Sequence, residues 1–166
     1  MNLNANCGIA EIRPPQLAAA AEVIRTSFAT VAKEFNLTKQ NCPSHTSFAT
    51  TPESLRDHFE CDRLMYGLYD EIRLAGYVSL SKLDEYTYEL HNLAVLPEYR
   101  HNGRGKQLLD FCKAKVKELG GSKIILSIID ENDVLKNWYA DNGFVYTGCK
   151  WFKRLPFTVG FMEWEI

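Results

Sequence analysis

Apolar and polar positions change period several times along the chain, and each change marks an element. Residues 9–13 alternate like a short strand, and Pro14 and Pro15 end it. From 16 to about 37 the period is helical, with Ile24, Phe28, Val31 and Phe35 at successive turns after an alanine-rich start. Residues 36–51 (NLTKQNCPSHTSFATT) are polar and rich in breakers, which predicts a loop long enough to serve binding. Thr51 and Pro52 then read as the N-cap and first residue of a short helix reaching about residue 61.

Two β-rich runs, 64–69 and 72–81, flank Asp70 and Glu71 and predict a hairpin, which a third run at 86–95 extends into a meander. A helix over 105–119 places Leu108, Leu109, Cys112, Val116 and Leu119 on one stripe, and Gly120 and Gly121 end it. The run KIILSII at 123–129 is almost wholly apolar, as expected of a central strand covered on both faces. A short helix over 132–142 stops at Gly143, and aromatic-rich strands at 144–153 and 157–166 predict a closing hairpin. The order β-α-α-β-β-β-α-β-α-β-β, with no repeat or linker, predicts an α/β fold with one central sheet in a single domain over 1–166. A helical crossover from the third meander strand to 123–129 makes those two strands parallel neighbours.

Composition then narrows the function classes. Among 166 residues, 46% are apolar and 24% charged, and the net charge is −2. Without a basic field, neither nucleic acid nor a membrane surface is an expected partner. The five cysteines are scattered and form no Cys-x-x-Cys pair, which predicts reduced thiols in a cytoplasmic protein rather than zinc or disulfide sites. Cys112 falls on an apolar stripe and reads as core. His45, His58, His91 and His101 share no ligand spacing, so no metal is expected. The opening MNLNANCG lacks the form of a secretory leader, and no apolar stretch approaches membrane-spanning length.

The chemistry concentrates in residues 89–109. A strand carrying Leu93, Ala94 and Val95 runs into a basic, glycine-punctuated loop of Arg100, His101, Asn102, Gly103, Arg104 and Gly105, and Lys106 begins a helix. The unpaired N–H groups of a helix's first turn and its dipole make an anion site from backbone alone. Glycine at 103 and 105 permits positive φ and a close approach to phosphate. No Gly-Lys-Ser/Thr follows the loop and no acid lies at dinucleotide-fold spacing, which disfavours a nucleotide-phosphate protein.

This loop, in the form Arg-x-x-Gly-x-Gly after a strand ending in Pro97, is followed by Asn132, Tyr139, Gly143 and Phe144. Together they resemble the GNAT superfamily of acetyl-CoA-dependent N-acetyltransferases over residues 86–144. The resemblance implies a GNAT-type mixed central sheet of about seven strands flanked by about four helices. It further implies acetyl-CoA as co-substrate, with the loop amides holding its pyrophosphate. Leu93, Ala94 and Val95 would offer a backbone edge to the pantetheine amides, beside a bulge that splays the strand. Asn132 and Tyr139, seven residues apart, would share one helix face, with Asn132 near pantetheine and the Tyr139 phenol ready to protonate the departing thiolate. Trp138 and Phe144 read as core.

A base is also needed, because an ammonium ion cannot attack a carbonyl. Glu89 lies where one branch of the family places its glutamate base, and His91 points to the same face. Another branch uses the position of Ser127, where this chain has no acid. Glu89 is therefore the favoured base, His91 the second, and a water chain the third. No cysteine lies at the thioester end of the motif, so the implied reaction is direct transfer to a primary amine of a small molecule or peptide. Residues 36–51 and 151–161 would shape the acceptor cleft, in a monomer or homodimer. The alternative is a regulatory module of the same fold that binds acyl-CoA without turnover.

Overall fold

Alternation along the strands sorts the apolar side chains onto the two faces of one seven-stranded sheet. The computed structural model describes residues 7–166; the leader reading of the first residues lies outside them. The strands are β1 (Cys7–Glu11), β2 (Leu64–Asp70), β3 (Arg73–Lys82), β4 (Thr87–Val95), β5 (Lys123–Ile129), β6 (Val145–Trp151) and β7 (Thr158–Glu165). The helices are α1 (Leu17–Glu34), α2 (Thr46–Ala49), α3 (Pro52–Glu60), α4 (Arg104–Glu118) and α5 (Asp133–Asp141). The sheet order is β1-β2-β3-β4-β5-β7-β6, and every neighbouring pair is antiparallel except β4 and β5.

Helices α1 and α3 cover one face, where Leu17, Ile24 and Leu55 pack with Met65, Tyr77 and Ala94. Helix α4 covers the other, where Leu108, Leu109, Cys112 and Val116 meet Val78, Leu80, Ile124 and Met162. Leu108 and Leu109 are fully buried, and each contributes about 2–3 kcal/mol of apolar burial. That packing fixes the start of α4 against the sheet. The predicted cap of α3 is present, with Ser54 N donating to Thr51 Oγ1 at 3.0 Å and Pro52 in the first turn.

Three expectations change. The predicted loop 36–51 contains the single helical turn α2. Ile72 sits in the β2–β3 turn, 96% exposed, and not in the strand. Strand β5 is covered on its second face only in part: Ile124, Leu126 and Ile128 are buried on one face, whereas on the other Ile129 is buried but Ser127 is exposed. The cause lies in β4. Its parallel pairing with β5 runs only through Thr87–Lys123, Tyr88–Ile124 and Glu89–Ile125, after which the strands part. A bulge interrupts the β3–β4 register between Tyr77–Ala94 and Ser79–His91, and Asn92 within it has φ 53°. The extra residue reverses which face each side chain takes. Tyr88 and Leu90 lie in the α4-side core, whereas beyond the bulge Ala94 and Leu96 join the α1 side and Val95 the α4 side.

Candidate active site

The parting of β4 from β5 leaves a strand edge without a neighbour. Leu96 N donates to Ala75 O on β3, and alternate residues of an antiparallel strand direct their amides to opposite sides. Leu93 and Val95 therefore turn their N–H and C=O groups toward the open side. One of these is already used, since Arg100 Nε donates to Val95 O at 2.9 Å.

Arg100 acts as a clamp. Besides Val95 O, it donates to Ser27 O at 2.9 Å and to Thr30 Oγ1 at 3.0 Å, tying the loop after β4 to α1. Helix α4 starts just beyond, capped by Gly103 at φ 74° with no side-chain cap. Its first intrahelical bond is Gln107 N to Gly103 O, so the amides of Gly105 and Lys106 have no acceptor within the helix. The expectation of positive φ at both glycines is corrected. Gly105 does not adopt it; a Cβ there would rest against the Trp138 ring at 3.4 Å, the near edge of ordinary van der Waals contact. The second left-handed residue is instead His101, at φ 64°. A Cβ at Gly103 would meet nothing within 4 Å, so Gly103→Ala should cost only backbone strain. We expect a loss of about 1 kcal/mol, measured as a lowered urea midpoint at unchanged m-value; no change would mean that the turn relaxes.

Across the open side stands α5. Asn132 precedes the helix rather than sharing its face, and its Oδ1 accepts from Leu135 N at 3.1 Å as the N-cap. Tyr139 is buried, with Trp138 and Phe144 edge-on to its ring at 4.9 and 5.4 Å. Burial, and secondarily Cys112 beside it, hold the phenol's pKa well above its ordinary value.

On the α1 face of β4, His91 Nε2 lies 2.9 Å from Ser81 Oγ and 3.6 Å from Glu89 Oε2. Their side chains are 21% and 34% exposed. Burial lowers His91 to about 4, helped by the positive fields of Arg63 and His58. Burial raises Glu89, against a smaller opposing pull from Arg63. The pair is thus not an ion pair at neutral pH, despite its spacing. Glu89 is the stronger base of the two.

These elements enclose a cleft of about 850 Å³ between the parted strands. It runs from the loop at 100–106, past β4, β5 and α5, to α1, the segment before α2, and residues 155–159. Residues 29–144, more than half of the chain, match the family model described as Acetyltransferase (GNAT) family. The chain belongs to the GNAT acetyltransferase family. A PaiA N-acetyltransferase from Thermoplasma acidophilum, solved in complex with coenzyme A, has the same fold, with TM-score 0.80 and 23% identity over 97% of this chain and 99% of that one. The structure of yncA from Salmonella typhimurium, solved with acetyl-CoA, aligns with TM-score 0.73 and 18% identity over 98% and 94% of the two chains. In sequence, an N-acetyltransferase of Lactobacillus delbrueckii subsp. lactis is 29% identical over 85 residues, 47% of this chain and 49% of that protein. The chain thus spans about half the length of that relative.

In this GNAT chain the cleft gathers His91, Leu93, Ala94, Val95, Arg100, His101, Gly103, Arg104, Gly105, Lys106, Asn132 and Tyr139 in its wall. Glu89 and Asn102 do not line it; Asn102 is at the exposed tip of the loop and Glu89 stands behind His91. Trp138, read from sequence as core, packs against the α4-side core and also forms part of the cleft wall beside Gly105. Ser27, Thr30 and Glu34 on α1 also line the cleft. No motif marks them, because they arrive through the docking of α1 and not through the loop. Among the described residues no helix is long and apolar enough to cross a membrane.

Proposed function

We propose that this chain transfers an acetyl group from acetyl-CoA to a primary amine by direct attack in a ternary complex. The observation that carries this reading is the end of β4–β5 pairing at Glu89–Ile125, which opens a strand edge and a helix start onto one cleft. The residues fit such a co-substrate: unpaired backbone groups on the edge suit its amides, and first-turn amides suit its phosphates. Acetyl-CoA, when bound, supplies an acetyl group activated as a thioester.

The chain's own groups divide the work. The amides of 103–106 take the pyrophosphate, and His101, Arg104 and Lys106 add donors around it, with Asn102 at the loop tip. The open groups of Leu93 and Val95, on either side of Ala94, orient the pantetheine arm. An N–H of the same edge meets the oxygen that becomes anionic on attack. Asn132 keeps its amide Nδ2 for the ligand once Oδ1 has capped α5. Glu89, reached across His91, accepts the proton that frees the amine. The amide C–N bond forms as the thioester C–S bond breaks. Of the two protons the ammonium loses, one leaves through Glu89 to water, and the other replaces the proton that Tyr139 gives to the departing thiolate. The raised pKa keeps Tyr139 protonated and so available as that donor.

Coenzyme A titration followed by thiol release over a panel of amines tests this reading. Binding with no release for any amine would indicate the regulatory module instead, and absence of binding would sink both. The pH profile tests the base. Glu89 must be ionised to act, and burial raises its pKa, so turnover should rise as pH increases through that raised value. Glu89→Gln should remove this limb and lower kcat about ten-fold at neutral pH. That is less than the usual 10²–10⁴ for a general base, because the carboxylate is one-third exposed and water can substitute. The deficit should shrink at alkaline pH, where the amine deprotonates unaided; an unaltered profile would exclude Glu89.

A further inference from the structure

The wall of the cleft is electrically lopsided, and this bears on the acceptor. Among the described residues, the basic side chains in the wall are Arg100, Arg104 and Lys106, all on the phosphate-side loop. Each has company already: Arg100 donates to Val95 O, Ser27 O and Thr30 Oγ1, Arg104 lies 3.6 Å from Asp70, and Lys106 pairs with Asp110. The opposite half is walled by Phe28, Val31, His45, Ile129, Leu155 and Phe157. Its one carboxylate is Glu34, exposed where α1 ends. Lys153 and Arg154, just before Leu155 in the chain, are exposed and do not belong to the wall.

The polar groups in that half are neutral. His45 Nδ1 accepts from Ser47 N and lies 2.8 Å from Ser47 Oγ, and the ring sits edge-on to Phe28 at 6.2 Å. Burial lowers its pKa, so the imidazole is uncharged at neutral pH. Ser27, only 3% exposed, has a buried hydroxyl with no partner among the described residues.

We propose that the acceptor is a primary amine on an apolar or aromatic body that bears no carboxylate. This rests on the acetyl-transfer reading above and names its second substrate class. An α-amino acid entering this half would bring a carboxylate against an aromatic and aliphatic wall whose nearest cation, Arg100, is already engaged by Val95 O, Ser27 O and Thr30 Oγ1, and with Glu34 repelling it. Burying an unpaired carboxylate is heavily penalised, whereas an aromatic body gains area against Phe28 and Phe157.

Three amines of matched shape test this with the purified protein and acetyl-CoA: phenethylamine, phenylalanine amide and phenylalanine. The expected kcat/KM for phenethylamine exceeds that for phenylalanine by about 10²-fold or more. The amide, close in size to the acid but uncharged, should fall within about ten-fold of phenethylamine. Comparable turnover of phenylalanine would overturn the proposal. Rejection of the amide as severe as that of the acid would also do so, since size and not charge would then be excluded. Coenzyme A binding is followed separately by the fluorescence of Trp138, which packs beside Gly105 in the loop. A protein that binds coenzyme A but turns over none of the three overturns the acceptor class, whereas one that fails to bind it overturns the acetyl-transfer reading beneath.

Discussion

Tyr139→Phe is expected to lower kcat by about 10²–10³-fold while leaving coenzyme A affinity within about two-fold. The substitution removes one oxygen and nothing else. The Tyr139 hydroxyl has no hydrogen-bond partner among the described residues, and the ring is held by Trp138 and Phe144, contacts that phenylalanine keeps. Deleting a hydroxyl on the cleft wall breaks no hydrogen bond within the described residues, so stability should be unchanged or slightly higher. The raised pKa keeps the phenol protonated through the working range, as the proposed role of proton donor requires. A second readout separates proton donation from packing. A thioester with a more acidic leaving thiol needs less help, so the variant's deficit should narrow with it. An undiminished kcat in the variant would remove Tyr139 from the reaction.

The second large effect is expected at Arg100. Arg100→Met should cost about 2–4 kcal/mol, read from denaturant unfolding, and weaken coenzyme A binding at least ten-fold. The side chain makes three hydrogen bonds from one guanidinium, two of them to the carbonyls of the buried residues Val95 and Ser27. Charge-assisted bonds of this kind contribute about 1.5–3 kcal/mol each, and orphaned buried carbonyls add a desolvation cost. The total is held below that sum because Arg100 is itself only part-buried. Arg100→Lys should recover at most a third of the loss, since an ammonium cannot reproduce the planar fork. A Met variant as stable as wild type, with intact coenzyme A binding, would show that α1 docks without the clamp.

The clamp also changes the meaning of the loop motif. From sequence, Arg100 reads as one of a string of ligand-facing residues. In the structure its guanidinium faces inward to α1, and the backbone it steadies is what faces the cleft. The glycines differ too: Gly103 supplies a left-handed conformation, while Gly105 keeps an ordinary one beside Trp138. The two candidate bases separate in a similar way. Their order along β4 puts Glu89 and His91 on one face, but burial moves them in opposite directions, raising Glu89 and lowering His91.

The sequence by itself determined the seven strands, the four longer helices in their order, and the family, but not the single turn α2. Those are local properties: apolar period, capping residues such as Thr51 and Pro52, and the glycine loop opening a helix are written within short windows of chain. The parallel pairing of β4 with β5 followed as well, because a helical crossover allows little else. Only the tertiary structure decided where that pairing stops. The bulge at Asn92 has no signature of its own, since a single extra residue is defined by its register against β3. It likewise decided the acceptor wall, where Phe28, His45, Ile129 and Phe157 meet from four separate stretches of chain. Charge balance at such a meeting depends on which side chains arrive and which remain outside, as Lys153 and Arg154 do. Distance in sequence carries no record of that.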